Sequence, residues 1–110
     1  MSAILDAETL DVLIEAIGED GARGVIELFI GECQELAAAI TAPGADRAAI
    51  GRAAHSLKSS AGQLGALALS DAALAVEAAA HAGSGKLPQL VAGLAQCAAE
   101  TQTALAEKLK

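Results

Sequence analysis

The side chain best suited to chemistry in this chain is His55, and its neighbours along the helix define what that chemistry would be. The local string is His55-Ser56-Leu57-Lys58-Ser59-Ser60-Ala61-Gly62-Gln63-Leu64-Gly65-Ala66. Ile50, Ala53/Ala54, Leu57, Ala61 and Leu64 recur at steps of three and four, which reads as the inward stripe of a helix. His55 stands two positions before Leu57, about 200° round the helix, so it points largely away from that stripe. Lys58, Ser59 and Gly62 follow it, and Arg52 and Gly51 precede it, at spacings that share its face. An exposed imidazole has a free nucleophilic nitrogen, able to attack phosphorus and form a phosphoramidate. Lys58 and Arg52 can screen the charge of a phosphoryl group in transfer. Gly51, Ser59 and Gly62 are small enough to let another protein come close for in-line transfer. Glycine inside a helix costs about 1 kcal/mol relative to alanine, and a tight helix–helix contact would favour it equally.

A second residue enters through register. If Gly65 is the turn between two antiparallel helices, His55 lies before it and Glu77 after it at nearly the same level, roughly 15 and 18 Å from the turn. Glu77 can then reach the imidazole. A carboxylate accepting from one ring N–H fixes the tautomer, orients the ring and leaves the other nitrogen as nucleophile. It also stabilises the positive charge that develops during attack. The alternative for Glu77 is an ordinary solvated carboxylate.

The elements that must hold these groups are helical. The chain has 110 residues, 54% of them apolar, with much of that share alanine and with Phe29 as the sole aromatic. Alanine and leucine favour helix, and the length suits a single domain, residues 1–110. Five helical segments are predicted. The first runs from about Asp6 to Ile17, with Leu10, Leu13, Ile14 and Ile17 at helical spacing, and ends at Gly18. The second runs from Glu19–Asp20 to about Thr41, with a stripe of Val25, Leu28/Phe29, Glu32/Cys33, Leu36 and Ile40, and stops at Pro43-Gly44. The third spans about Asp46 to Leu64, closed by Gly65. The fourth spans about Leu67 to His81, with Ser70 as an alternative cap. The fifth spans about Leu87 to Leu109, with Pro88 in its first turn and Lys108 and Lys110 at its negative end. Short connections make neighbours antiparallel, so the expected fold is all-α: an up-down-up-down antiparallel four-helix bundle with a short extra N-terminal helix.

Charge narrows the function. The net charge is −7, which argues against nucleic-acid binding. Acidic residues crowd positions 1–42, where Arg23 is the one basic side chain, whereas residues 43–65 hold Arg47, Arg52 and Lys58 against Asp46. Cys33 and Cys97 lack a metal or redox spacing and read as small buried hydrophobes of a reduced protein. No apolar run reaches the ~18 residues of a membrane span, and no secretory leader is apparent, so the cytoplasm is expected. A metal-binding bundle would need inward Glu-x-x-His pairs, which are not present. His81 lies near the end of the fourth helix with no Lys, Gly or carboxylate in register, and reads as a residue interacting with the helix dipole.

The string resembles the histidine-containing phosphotransfer (HPt) family. That family's pattern is His-x-Leu-Lys-Gly-x-Ser/Ala-x-x-x-Gly-Ala followed by an apolar–Glu pair. His55, Leu57, Lys58, Ala61, Gly65, Ala66 and Val76-Glu77 fall in register with it, and the helix layout is similar along nearly the whole chain. The resemblance implies a phosphocarrier that accepts a phosphoryl group on His55 from the aspartyl phosphate of a receiver domain and passes it to another receiver. Two departures stand out. Ser59 occupies the family's Gly position. Glu77 stands where many members carry Gln, which resembles the phosphotransfer domain of chemotaxis-type kinases and makes direct phosphorylation by such a kinase an alternative. A degenerate helical adaptor that docks receivers without carrying phosphate is a second alternative.

The resemblance implies response-regulator receivers and a hybrid or other sensor histidine kinase as partners. Mg²⁺ would sit in the receiver's acidic pocket, with no cofactor or metal on this chain. No Gly-rich phosphate loop is present, so no ATP-dependent kinase activity is expected of the chain itself. A free-standing monomer is expected. Docking is expected to use Arg52, Gly51, Ser59 and Gly62 around His55, with apolar residues of the first helix such as Leu13 and Ile17.

Overall fold

The computed structural model describes residues 3–109 and contains, among them, four helices and no strand. They are α1 (Ala7–Thr41), α2 (Arg47–Gln63), α3 (Leu67–Ala82) and α4 (Leu87–Lys108). Met1 and Lys110, the latter assigned from sequence to the last helix end, lie outside the described residues.

The first two predicted helices form one element. Gly18 interrupts it with φ 81° and ψ 168°, a conformation that only glycine adopts without strain. The predicted break is therefore in place, but the chain resumes helix at the next residue, so the two segments run on as one kinked helix. The stripe expected on the second segment is also rotated. Ala22, Ile26, Phe29, Cys33 and Ile40 are buried, whereas Val25 is 37% and Leu28 76% exposed. In the first segment Leu10 is buried, Leu13 half-buried, and Ile14 and Ile17 exposed.

The remaining boundaries follow the sequence signals. The Asp46 side chain accepts from the Ala49 N–H at 2.7 Å and caps α2. At its other end Gly65, with φ 80°, takes the left-handed position. Its N–H reaches the Gly62 carbonyl, and the Ala66 N–H reaches that of Ala61. Pro88 enters α4 in the first turn. Ser70 does not cap α3. It lies inside the helix and its Oγ donates to the Lys58 carbonyl at 3.0 Å, tying α3 to α2.

Each helix packs on two others in a ring: α1 on α2 and α4, and α3 on α2 and α4. Cross-helix pairs give the directions. On α2 and α3, Ser70 pairs with Lys58 and Glu77 with His55. On α1 and α4, Arg23 pairs with Leu109 and Cys33 with Gln102. In both pairs one chain rises as the other descends. Ile40, Leu57, Leu69, Val76, Leu94 and Leu105 fill the centre and are all buried. The α2–α3 interface is the most extensive, and the buried positions of its two helices include Ala54, Ala61, Ala73 and Ala80. Such small side chains let two helix backbones approach closely, which brings short groups on the two outer faces within reach of each other.

Candidate functional site

His55 sits in the middle of α2, two residues from the fully buried Leu57, and its side chain is 61% exposed. Across the α2–α3 interface, Val76 is buried and holds its neighbour Glu77 at the rim of the same surface. The imidazole Nδ1 lies 2.7 Å from Glu77 Oε2. Lys58 Nζ donates to the other oxygen, Oε1, at 2.8 Å. One carboxylate thus bridges an imidazole and an ammonium, with both of its oxygens engaged.

The electrostatics fix the ring's proton. The hydrogen bond from Lys58, then that from His55, holds the Glu77 carboxyl below the usual carboxylate range. An ionised carboxylate is an acceptor only, so Nδ1 carries the hydrogen of the His55–Glu77 bond. In the neutral imidazole Nε2 is then the nitrogen with the lone pair, on a ring whose side chain is largely exposed. This arrangement can act as an oriented nitrogen nucleophile with a fixed negative charge behind it.

The expected neighbours are placed as follows. Arg52, Ser59 and Gly62 are exposed, and Gly51 and Lys58 are half-buried beside His55. Packing does not demand glycine at positions 51 or 62: an added Cβ would meet Ala80 Cβ at 3.8 Å and Ser70 Oγ at 3.5 Å, ordinary contacts. Lys58, expected to screen the charge of a phosphoryl group, donates to Glu77. Leu13 lines a separate apolar groove with Phe29 and Leu64, and Ile17 is 46% exposed beyond it. Among the described residues no group of three or more His, Cys, Asp or Glu side chains could hold a metal ion, and no helix is long and apolar enough to cross a membrane. Cys33 is buried and Cys97 partly so; both are free thiols, and burial pushes both upward in pKa.

Two residues that the sequence left aside join the site. Arg47 and His81 line, with Gly51, Arg52, His55 and Glu77, a groove between the first half of α2 and the end of α3. His81 does lie in the last turn of α3, as its dipole reading requires, but it also faces this groove. The signal that could have found it is the four-residue step from Glu77, which stacks the two on one face. On the other side of His55, Ser60 Oγ donates to Glu32 of α1.

Comparisons with known proteins bear on the family and the fold. The family model for the Hpt domain matches residues 24–107. Among solved structures, the crystal structure of histidine-containing phosphotransfer protein B (HptB) from Pseudomonas aeruginosa PAO1 superposes with a TM-score of 0.90 at 22% identity, over 99% of this chain and 96% of that one. At that identity the likeness speaks for the fold. No match is found among curated protein sequences. The family match includes the imidazole, the ammonium and the carboxylate just described, and with it the chain belongs to the Hpt-domain family of histidine phosphotransfer in two-component signalling.

Proposed function

We propose that His55 is the phosphoacceptor of a two-component phosphorelay, taking a phosphoryl group from a receiver domain's aspartyl phosphate and giving it to another receiver. Hpt domains in general interact with receivers and histidine kinases. The observation that carries the proposal is the Glu77 carboxylate, which binds Nδ1 at 2.7 Å and leaves Nε2 free on an exposed ring.

In the forward step the Nε2 lone pair attacks phosphorus as the P–O bond to the donor carboxylate breaks and that aspartate leaves ionised. The imidazole becomes cationic with its Nδ1 proton retained, and Glu77 offsets the new charge. The reverse step moves the phosphoryl group to the next aspartate with no net proton transfer. Lys58 keeps Glu77 ionised and can turn toward the phosphoryl oxygens once they arrive. Mg²⁺ belongs to the receiver's acidic pocket, and this chain contributes no cofactor.

The wider reading is of a monomeric cytoplasmic carrier, an up-down-up-down four-helix bundle whose leading segment before Gly18 serves as the short extra N-terminal helix. Receivers dock on the face formed by Gly51, Arg52, Ser59 and Gly62, extended by Leu13 and Ile17. A second reading, direct phosphorylation by a chemotaxis-type kinase, is favoured by glutamate rather than glutamine at position 77. The receiver reading is tested by incubating the chain with a phosphorylated receiver. Label that is acid-labile, base-stable and absent from His55→Gln supports it. Label retained by His55→Gln overturns it, as would labelling that needs a kinase catalytic domain and fails with every phosphorylated receiver of the source organism.

A further inference from the structure

We propose that the groove beside His55 is a binding site for a tetrahedral phosphate oxyanion, held by Arg47, Arg52 and His81. The proposal rests on the phosphocarrier reading for the source of one such anion, the phosphoryl group on His55, and stands without it for the other, free inorganic phosphate.

The charge balance of the groove differs from that of the rest of the chain. The cavity has a volume of about 480 Å³. It has two guanidinium groups and two imidazoles against a single carboxylate, Glu77, which is already engaged by Lys58 and His55. Neither Arg47 nor Arg52 has a carboxylate partner among the described residues. Two arginines without a carboxylate partner lining one groove are unusual for a chain of net charge −7, where carboxylates to pair with are plentiful. Guanidinium forks match phosphate oxygens in geometry and shed water readily, which suits them to this ligand.

The floor is cut back to admit it. Beyond its own stretch of helix, the nearest atom to where a Gly51 side chain would begin is the methyl of Ala80, at 3.8 Å. At the far end Gly83 is left-handed, with φ 67°, and a Cβ there would overlap Arg47 Nη1. The missing side chain at position 83 is thus where the Arg47 guanidinium lies. Levels along the helices complete the geometry. On α2, Arg52 is one turn from His55 and Arg47 about 12 Å away; on α3, His81 is one turn, about 6 Å, beyond Glu77. Arg52 is therefore placed to meet a phosphoryl group on the His55 ring, with His81 and Arg47 extending the site away from it.

The test follows the Arg Nε–H and imidazole NMR signals of the full chain during titration with inorganic phosphate, against sodium chloride at matched ionic strength. The site predicts saturable shifts at Arg47, Arg52 and His81 with phosphate and not with chloride, and at least fivefold weaker binding in Arg47→Gln/Arg52→Gln. The same titration is then run on chain phosphorylated at His55. If the phosphoryl group fills the site, phosphate binding falls about tenfold or more; if binding is unchanged, the site serves free phosphate. Shifts that match the chloride control, or that persist undiminished in the double variant, overturn the proposal. Saturable binding in a chain whose His55 accepts no label would keep the anion site and remove the phosphocarrier reading.

Discussion

Gly65 is the pivot that sets His55 and Glu77 at one level, and its replacement by alanine gives the sharpest stability prediction. Its φ of 80° places it in the left-handed region, where an L side chain costs about 1–2 kcal/mol. The site is also crowded. A Cβ would stand 2.8 Å from Thr9 Cβ and 3.2 Å from the Asp6 carbonyl oxygen, so the start of α1 must shift, adding roughly 1–2 kcal/mol of overpacking. That shift strains the Asp6 N–H bond to the Gly65 carbonyl, now 2.7 Å. Gly65→Ala is therefore expected to lose about 2–4 kcal/mol. At roughly 4 °C per kcal/mol for a domain of this size, Tm should fall by about 8–16 °C. Thermal unfolding by circular dichroism and a urea titration should agree, with the midpoint moving and the slope unchanged. A Tm within about 3 °C of the parent would refute the reasoning, because it would mean that neither the left-handed backbone nor the Thr9 contact constrains this turn.

Other perturbations address the site. Glu77→Gln keeps an acceptor for the His55 N–H but removes the charge, and should slow phosphotransfer about tenfold; Glu77→Ala, which frees the ring, should slow it about a hundredfold, both read by label transfer in rapid-quench experiments. Equal rates for parent and Glu77→Ala would exclude the ring-orienting role. The same carboxyl has a lowered folded-state pKa, so its contribution is present above the ordinary carboxylate value and lost as pH falls through the lowered one; the His55–Glu77 contact, followed by imidazole NMR, should survive at pH values where a free glutamate is already protonated. Lys58→Ala should slow transfer while leaving the urea midpoint nearly unchanged, since a partly exposed ion pair contributes little to stability; unchanged kinetics would count against its electrostatic role. Ile17→Glu, at a 46% exposed position, and Leu13→Glu should weaken receiver docking, seen as a higher receiver concentration for half-maximal transfer. Docking that is indifferent to both would move the surface elsewhere.

The parts legible in sequence were those where a single physical rule decides. The α2 stripe is unambiguous because Ile50, Leu57, Ala61 and Leu64 alternate with plainly polar residues, so the face opposite it, with His55, could be read directly. Gly65 gave the register because a left-handed helix end leaves few alternatives to glycine. The rotation of α1 was not legible: Val25-Ile26 and Leu28-Phe29-Ile30 are apolar on adjacent positions, so periodicity alone cannot choose Ile26 over Val25 as the inward residue. Nor does Gly18 say whether the chain ends a helix or bends one, since glycine permits both. The bond from Lys58 to Glu77 and the groove that joins Arg47 to His81 cross between helices. They depend on how closely α2 and α3 pack and on how each is rotated, which the alanines permit but do not announce.

The central claim is that Nε2 of His55, presented by Glu77, carries the phosphoryl group. Long-range proton–nitrogen correlation of the imidazoles, combined with phosphorus NMR on the freshly phosphorylated chain, reads the attachment atom directly. Phosphorus is expected to couple to Nε2 of His55 alone, with the Nδ1 proton still bonded to Glu77. Attachment at Nδ1, attachment at His81, or no phosphorylated histidine in the presence of a competent phosphorylated receiver would contradict it.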